Sequence, residues 1–178
     1  MSVPHRRIPV LVGIDLGSTR TKVGLITTDG APIGFARAEH ATDVDPSTGR
    51  AEQDPEVWWN GLCLATREAV VRGERTGELA MLGVCVAGHG PTLTVVNDAG
   101  LPVRKAITWL DTRAVNEQAE LERATGLRGW AVGVLPAALW FERHEPATAA
   151  RTSWYLNSWE ALALRLSGRA ATTERCAA

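Results

Sequence analysis

The chain has 178 residues, 45% hydrophobic and 22% charged, with a net charge of −1, which is enough to bury the core of one soluble globular domain. That balance gives no general attraction to nucleic acid or to an acidic membrane surface, and no like-charge run is long enough to act as an interaction tail. No stretch is apolar over a membrane-spanning length, and Met1 to Pro9 leads into an apolar run too short for a secretory h-region. Cys63, Cys85 and Cys176 form no C-x-x-C; the first two lie in apolar segments, where reduced buried thiols are expected, and this suits the cytoplasm.

Two aliphatic and β-branched runs, Val10 to Ile14 and Val23 to Thr28, flank Asp15, Gly17, Ser18, Thr19, Arg20, Thr21 and Lys22. The pattern predicts a β-hairpin with chemistry at its tip. Gly17 lets backbone approach a ligand closely, the hydroxyls of Ser18, Thr19 and Thr21 and the turn N–H groups can bond phosphate oxygens, and Lys22 adds positive charge. Asp15, ending the first strand, offers a carboxylate to Mg²⁺, an ion that keeps most of its waters. The plainer alternative is a hairpin whose glycine and hydroxyl residues merely serve the turn. A P-loop or Rossmann site is excluded, because its glycines would open a helix, whereas here the chain returns as strand.

Asp29-Gly30 signals a turn, and Pro32 to Glu39 alternates as a third antiparallel strand. Polar His40 to Arg50 reads as a loop. Asp54 and Pro55 are suited to the N-cap and first position of a helix through about Arg72, on which Val57, Trp58, Leu62, Ala65, Ala69 and Val70 recur at helical spacing. Trp58 and Trp59 are assigned to packing, at least in part. The apolar run Leu79 to Ala87 is expected to be a strand buried on both faces of a parallel sheet. Short strands are expected over Thr92 to Asn97 and Val103 to Thr108, then a helix from Asp111 or Thr112 through Arg123 closed by Gly126, and another from Pro136 through about Arg143. Trp154 to Leu156 is a weak strand, Ser158 caps a helix Trp159 to Leu166, and Ala170 to Ala178 carries no clear pattern. A meander followed by alternating helices and strands predicts an α/β fold: a ribonuclease-H-like (actin-like ATPase) lobe with a mixed five-stranded sheet flanked by helices, taken as one domain over residues 1–178.

Gly13-Ile14-Asp15-Leu16-Gly17-Ser18-Thr19-x-x-Lys22 resembles the first phosphate-binding hairpin of the actin, heat-shock-chaperone and sugar-kinase superfamily. Further segments resemble, in order, the N-terminal lobe of the FGGY family of carbohydrate kinases, which includes xylulokinase and glycerol kinase. Ala51-Glu52-Gln53-Asp54-Pro55-x-x-Trp58-Trp59 is similar to a family helix start, Gly88-His89-Gly90-Pro91 to its sugar loop, and Ala106-Ile107-Thr108-Trp109-Leu110-Asp111-Thr112-Arg113 to its Ala-Ile-x-Trp-x-Asp-x-Arg segment. The resemblance implies transfer of the ATP γ-phosphate to a hydroxyl of a small sugar or polyol. It assigns Gly17, Ser18, Thr19 and Lys22 to the nucleotide phosphates, Asp15 to Mg²⁺ through water, and Gly88, His89, Trp109, Asp111 and Arg113 to the sugar.

Each assignment has a structural alternative: His89 as a loop histidine, Trp109 as core, and Asp111 with Arg113 as helix cap and surface charge. Where the family often has Gln beside His, this chain has Ala87-Gly88, so either His89 takes the Gln position or one sugar contact is absent. The family's catalytic aspartate lies in a later Gly-Asp-x motif, and no Gly-Asp pair occurs here. The resemblance therefore implies an N-terminal lobe that is inactive alone, its partners being the sugar and a C-terminal kinase lobe, with a homodimer allowed. The competing reading is a non-catalytic nucleotide- or partner-binding module of the same superfamily.

Overall fold

The structure is a computed structural model that describes residues 7–172. Its elements, in chain order, are strands β1 (Ile8–Leu16), β2 (Arg20–Thr27), β3 (Pro32–Glu39), β4 (Asp43–Asp45) and β5 (Arg50–Gln53), helix α1 (Pro55–Gly73), strands β6 (Leu79–Gly88), β7 (Leu93–Val96) and β8 (Ala106–Ile107), helices α2 (Val115–Thr125), α3 (Leu135–His144) and α4 (Pro146–Ala149), strand β9 (Trp154–Asn157) and helix α5 (Ser158–Ser167). They form two compact units, residues 7–41 with 57–87 and residues 42–56 with 88–172. The fold is α/β as expected, but the strands are shared between two sheets, ordered β3-β2-β1-β6 and β4-β5-β8-β7-β9, where the sequence suggested one.

In the first unit β1, β2 and β3 form the expected antiparallel meander. Strand periodicity puts Val10, Val12, Ile14 and Leu16 of β1 in the core, while Leu11, Gly13 and Asp15 point the other way. Helix α1 covers the buried side with Leu62, Ala65 and Ala69. The backbones meet closely there: a Cβ on Gly34 of β3 would lie 2.3 Å from the Ala69 carbonyl oxygen of α1. The helix starts as its sequence predicts, with Pro55 in the first position and the Glu56 N–H donating to Asp54 Oδ1 at 2.9 Å. Strand β6 has the expected span but not the expected burial. Met81, Leu82, Val84 and Cys85 are exposed, Leu82 by 61%, because β6 ends the sheet and nothing among the described residues covers it.

The second unit is an antiparallel sheet, and its β7 has the two-sided burial expected of β6. Leu93 and Val95 pack with Ile107 and with Phe141 of α3, whereas Val96 packs with Leu156 and Leu164. The polar segment read as a loop contains the hairpin β4–β5. Its turn is built by the Asp45 carboxylate, which accepts bonds from the Ser47 N–H at 3.0 Å, the Ser47 hydroxyl at 2.6 Å and the Thr48 hydroxyl at 2.9 Å, with Gly49 at φ 77°. Helix α2 begins at Val115, later than expected, and ends at the left-handed Gly126. Helix α5 is capped by Asn157 in a capping box with Glu160, which corrects the assignment to Ser158. Cys176 and the segment after Thr172 lie outside the described residues. No helix among the described residues is long and apolar enough to cross a membrane.

Asp43 of β4 accepts hydrogen bonds from Arg50 at 2.7 Å and Lys105 at 3.1 Å, and these, Arg50 first, lower its pKa from 3.8 to about 2. A depressed carboxylate contributes stability that is present above its unfolded pKa and lost as pH falls toward the folded value. The contribution of Asp43 is therefore expected to fade between pH 3.8 and about 2. A carboxyl NMR titration should place its midpoint near the lower value, and Arg50→Ala should return it toward the ordinary one; an ordinary midpoint in the parent chain would contradict this.

Candidate functional site

The hairpin tip is set by register. Asp15 pairs with Lys22 and Leu16 with Thr21, and the Gly17 N–H donates to the Arg20 carbonyl at 3.0 Å, so that Ser18 and Thr19 form the turn. Asp15 and Lys22 share the face away from α1, where Lys22 Nζ donates to Asp15 Oδ2 at 2.7 Å. Both side chains are about half exposed, so the pair contributes little stability and is cheap to rearrange around an incoming phosphate or hydrated cation. Thr21 is different: it is fully buried, its hydroxyl on the side of Gly61 in α1, and it is no phosphate donor. Among the described residues no cluster of three or more His, Cys, Asp or Glu side chains converges as a metal cage. One accessible carboxylate is the donor set of an ion held mainly through its own waters, and Asp15 fits Mg²⁺ in that manner.

Gly88, His89 and Gly90 form a loop seated on the start of α5. The Ser158 hydroxyl donates to the His89 carbonyl at 2.6 Å. A Cβ on Gly88 would come within 2.7 Å of Ser158 Oγ, and one on Gly90 within 2.6 Å of the Trp159 ring, so both glycines are there for close approach. Ser158, expected to be a cap, is instead the residue that positions this loop.

Trp109, at the end of the β8 segment, borders a cavity of ≈ 320 Å³ with Leu93, Ile107, Val132, Asp111 and Gln118 also in its wall. Of the five residues assigned to the sugar, Trp109 and Asp111 line this cavity, while Gly88, His89 and Arg113 do not. Trp109 is 42% exposed and faces Trp130, their ring centroids 6.1 Å apart and tilted by 38°. The Asp111 carboxylate is already engaged: Oδ2 accepts the Ala51 N–H at 2.8 Å, and Arg113 donates to both oxygens. It does not cap α2.

Behind the cavity wall lies an ion cluster that the sequence did not disclose. Glu52 of β5 accepts from Arg113 at 2.6 Å and also from Arg104, which pairs in turn with Glu145. Arg113 lies over the Trp140 ring, 4.3 Å from its centroid, and Arg104 over Phe141. Burial disfavours charge on Arg113, but the bonds from Asp111 and Glu52 outweigh it and hold the pKa above the ordinary guanidinium value. Glu52, Arg104, Arg113 and Glu145 thus fix the strand β5, the Trp109–Arg113 segment and the end of α3 to one another.

Residues 10–178 match the model of the FGGY family of carbohydrate kinases, N-terminal domain, and the chain belongs to that family. It is 32% identical over 178 positions to the xylulose kinase of Streptomyces rubiginosus, covering 94% of this chain and 35% of the relative. It is also 32% identical over 168 positions to the Escherichia coli K12 xylulose kinase, covering 90% of this chain and 34% of the relative. Crystal structures of the xylulose kinases of Brucella ovis and Rhodospirillum rubrum superpose with TM-scores of 0.75 and 0.73 at 28% and 26% identity, over 87% and 89% of this chain and 34% and 33% of those chains. The chain thus spans about a third of the length of the relatives it matches.

Proposed function

We propose that the whole protein transfers the γ-phosphate of ATP to a hydroxyl of a small sugar or polyol, with xylulose the first candidate, and that this chain is the lobe that holds sugar and phosphate. The observation that carries the reading is the cavity bordered by Trp109 within a chain matched to the FGGY N-terminal domain along residues 10–178. An indole face suits the C–H side of a sugar, and Gln118 in the cavity wall can bond hydroxyls. On the hairpin, Gly17, Ser18, Thr19 and Lys22 receive the nucleotide phosphates, and Asp15 holds Mg²⁺ through water. Bound there, Mg²⁺ neutralises charge on the phosphates. Asp111 and Arg113 act on the sugar through the shape of the cavity, since their own bonds are spent on each other, Ala51 and Glu52. Among the described residues Cys63 and Cys85 are free thiols, which accords with a cytoplasmic protein.

Phosphoryl transfer draws on groups on both sides of the donor, and this chain contains no Gly-Asp pair to supply the family's base. By itself it is therefore expected to give no turnover. In the whole protein, Asp15→Asn should lower turnover of xylulose about a hundredfold by removing charge compensation at the phosphates, with xylulose affinity unchanged. A coupled assay with ATP, alongside calorimetry with xylulose, measures both. Unaltered turnover in the variant removes Asp15 from the phosphate site, and clear turnover by residues 1–178 alone removes the need for a second lobe.

A further inference from the structure

Trp130 is the most exposed large hydrophobic residue among the described residues, at 68%. A bare indole in water is unfavourable, and its placement is not casual. It sits in a single 3-10 turn, Gly129–Val132, which opens on Gly129 and is followed by Gly133, both at positive φ, 55° and 58°. Both ends are fixed. The Gly129 N–H donates to Glu122 Oε1 of α2 at 2.8 Å, and Val132 is buried under the turn. The ring is thereby held beside Trp109 at the cavity mouth, 6.1 Å between centroids, too close for a third ring or sugar to slip between them but angled so that the two form one continuous apolar wall.

We infer that Trp130 is a second sugar-binding residue: with Trp109 it makes a two-indole wall against which the carbon face of the substrate lies. The inference rests on the sugar-site reading above and adds to it a residue that selects for a ligand with an extended C–H face. The chemistry follows from the wall itself. Thr108 donates to the Ala51 carbonyl and Asp111 is saturated, so this side of the cavity offers contact area and few free polar groups.

The test is a titration of the isotope-labelled chain with xylulose, following the indole N–H signals of its seven tryptophans, with affinity measured by calorimetry. The signals of Trp109 and Trp130 should move together with one midpoint. Trp130→Ala should weaken xylulose binding about 3- to 10-fold, the worth of one aromatic contact, at an unchanged thermal midpoint because the side chain is exposed; Trp130→Phe should restore most of it. If the parent binds xylulose and Trp130→Ala binds it equally well, or only alters self-association, the inference fails while the sugar site stands. If the parent binds neither xylulose nor glycerol, the sugar-site reading fails and takes this inference with it.

Discussion

Replacing Glu52 by alanine is expected to destabilise the second unit by about 3 kcal/mol, because it strips a buried carboxylate from Arg104 and Arg113, with Arg50 at 3.9 Å losing a weaker partner. The Glu52 side chain is 9% exposed and those of Arg104 and Arg113 little more. The expected loss sits at the lower end for a broken buried pair, since Arg104 keeps Glu145 and Arg113 keeps Asp111. Glu52→Gln, which preserves the shape and an acceptor, should lose less. Chemical denaturation gives the magnitude. Hydrogen exchange gives the location: the Thr108 N–H, bonded to the Ala51 carbonyl at 3.0 Å, should lose protection along with the Ala51 N–H. A loss under about 1 kcal/mol would show that the cluster behaves as a solvated surface network. The same variant should widen the cavity mouth, since Arg113 anchors the segment that carries Trp109.

Trp58→Ala should cost the first unit about 3–5 kcal/mol, the range for emptying a fully buried large aromatic site. Trp58 is the largest of the fully buried side chains at 1% exposure, whereas its neighbour Trp59 is only partly buried. The two indoles are adjacent in sequence and so lie about 100° apart around α1, and only one can face fully inward. Trp59→Ala is accordingly expected to lose much less. Urea unfolding followed by far-UV circular dichroism compares them, and equal losses would overturn the assignment of Trp58 as the core member of the pair.

What the sequence disclosed, and what it withheld, follows from the range of the interactions. The start of α1 was legible because Asp54 and Pro55 act on N–H groups one or two residues away, and β3 was legible because Pro32 to Glu39 alternates. Hairpin β4–β5 was hidden because its strands are short and polar and are held by Asp43, Arg50 and the Asp45 turn instead of by an apolar face. The burial of β6 was misjudged because an apolar run reports what a strand prefers, not whether a second layer is present to cover it. β7, with two threonines flanking Leu93, is buried on both faces although its composition is less apolar. Of the residues that line the cavity, Trp109 and Asp111 were named from a local pattern. Glu52, Arg104 and Glu145 were not, because residues 41 and 52 positions apart in the chain meet in the ion cluster only after the strands pair. The signal for Trp130 was present but faint: an aromatic residue bracketed by Gly129 and Gly133, both at the positive φ that glycine adopts freely.

Strand β6 carries one last consequence. From Leu79 to Gly88 it contains neither a charge nor a proline, it ends its sheet, and Leu82 and Val84 stand in water. Natural sheets ordinarily guard such a border with lysine or proline, and β6 has neither. Its row of open amide and carbonyl groups is a template on which any extended apolar peptide can add, a like strand from another molecule included. Handling at high concentration therefore pits native folding against fibril growth seeded at this border, and Leu82→Lys or Val84→Lys, on a side chain already in solvent, is the smallest change that would close the template.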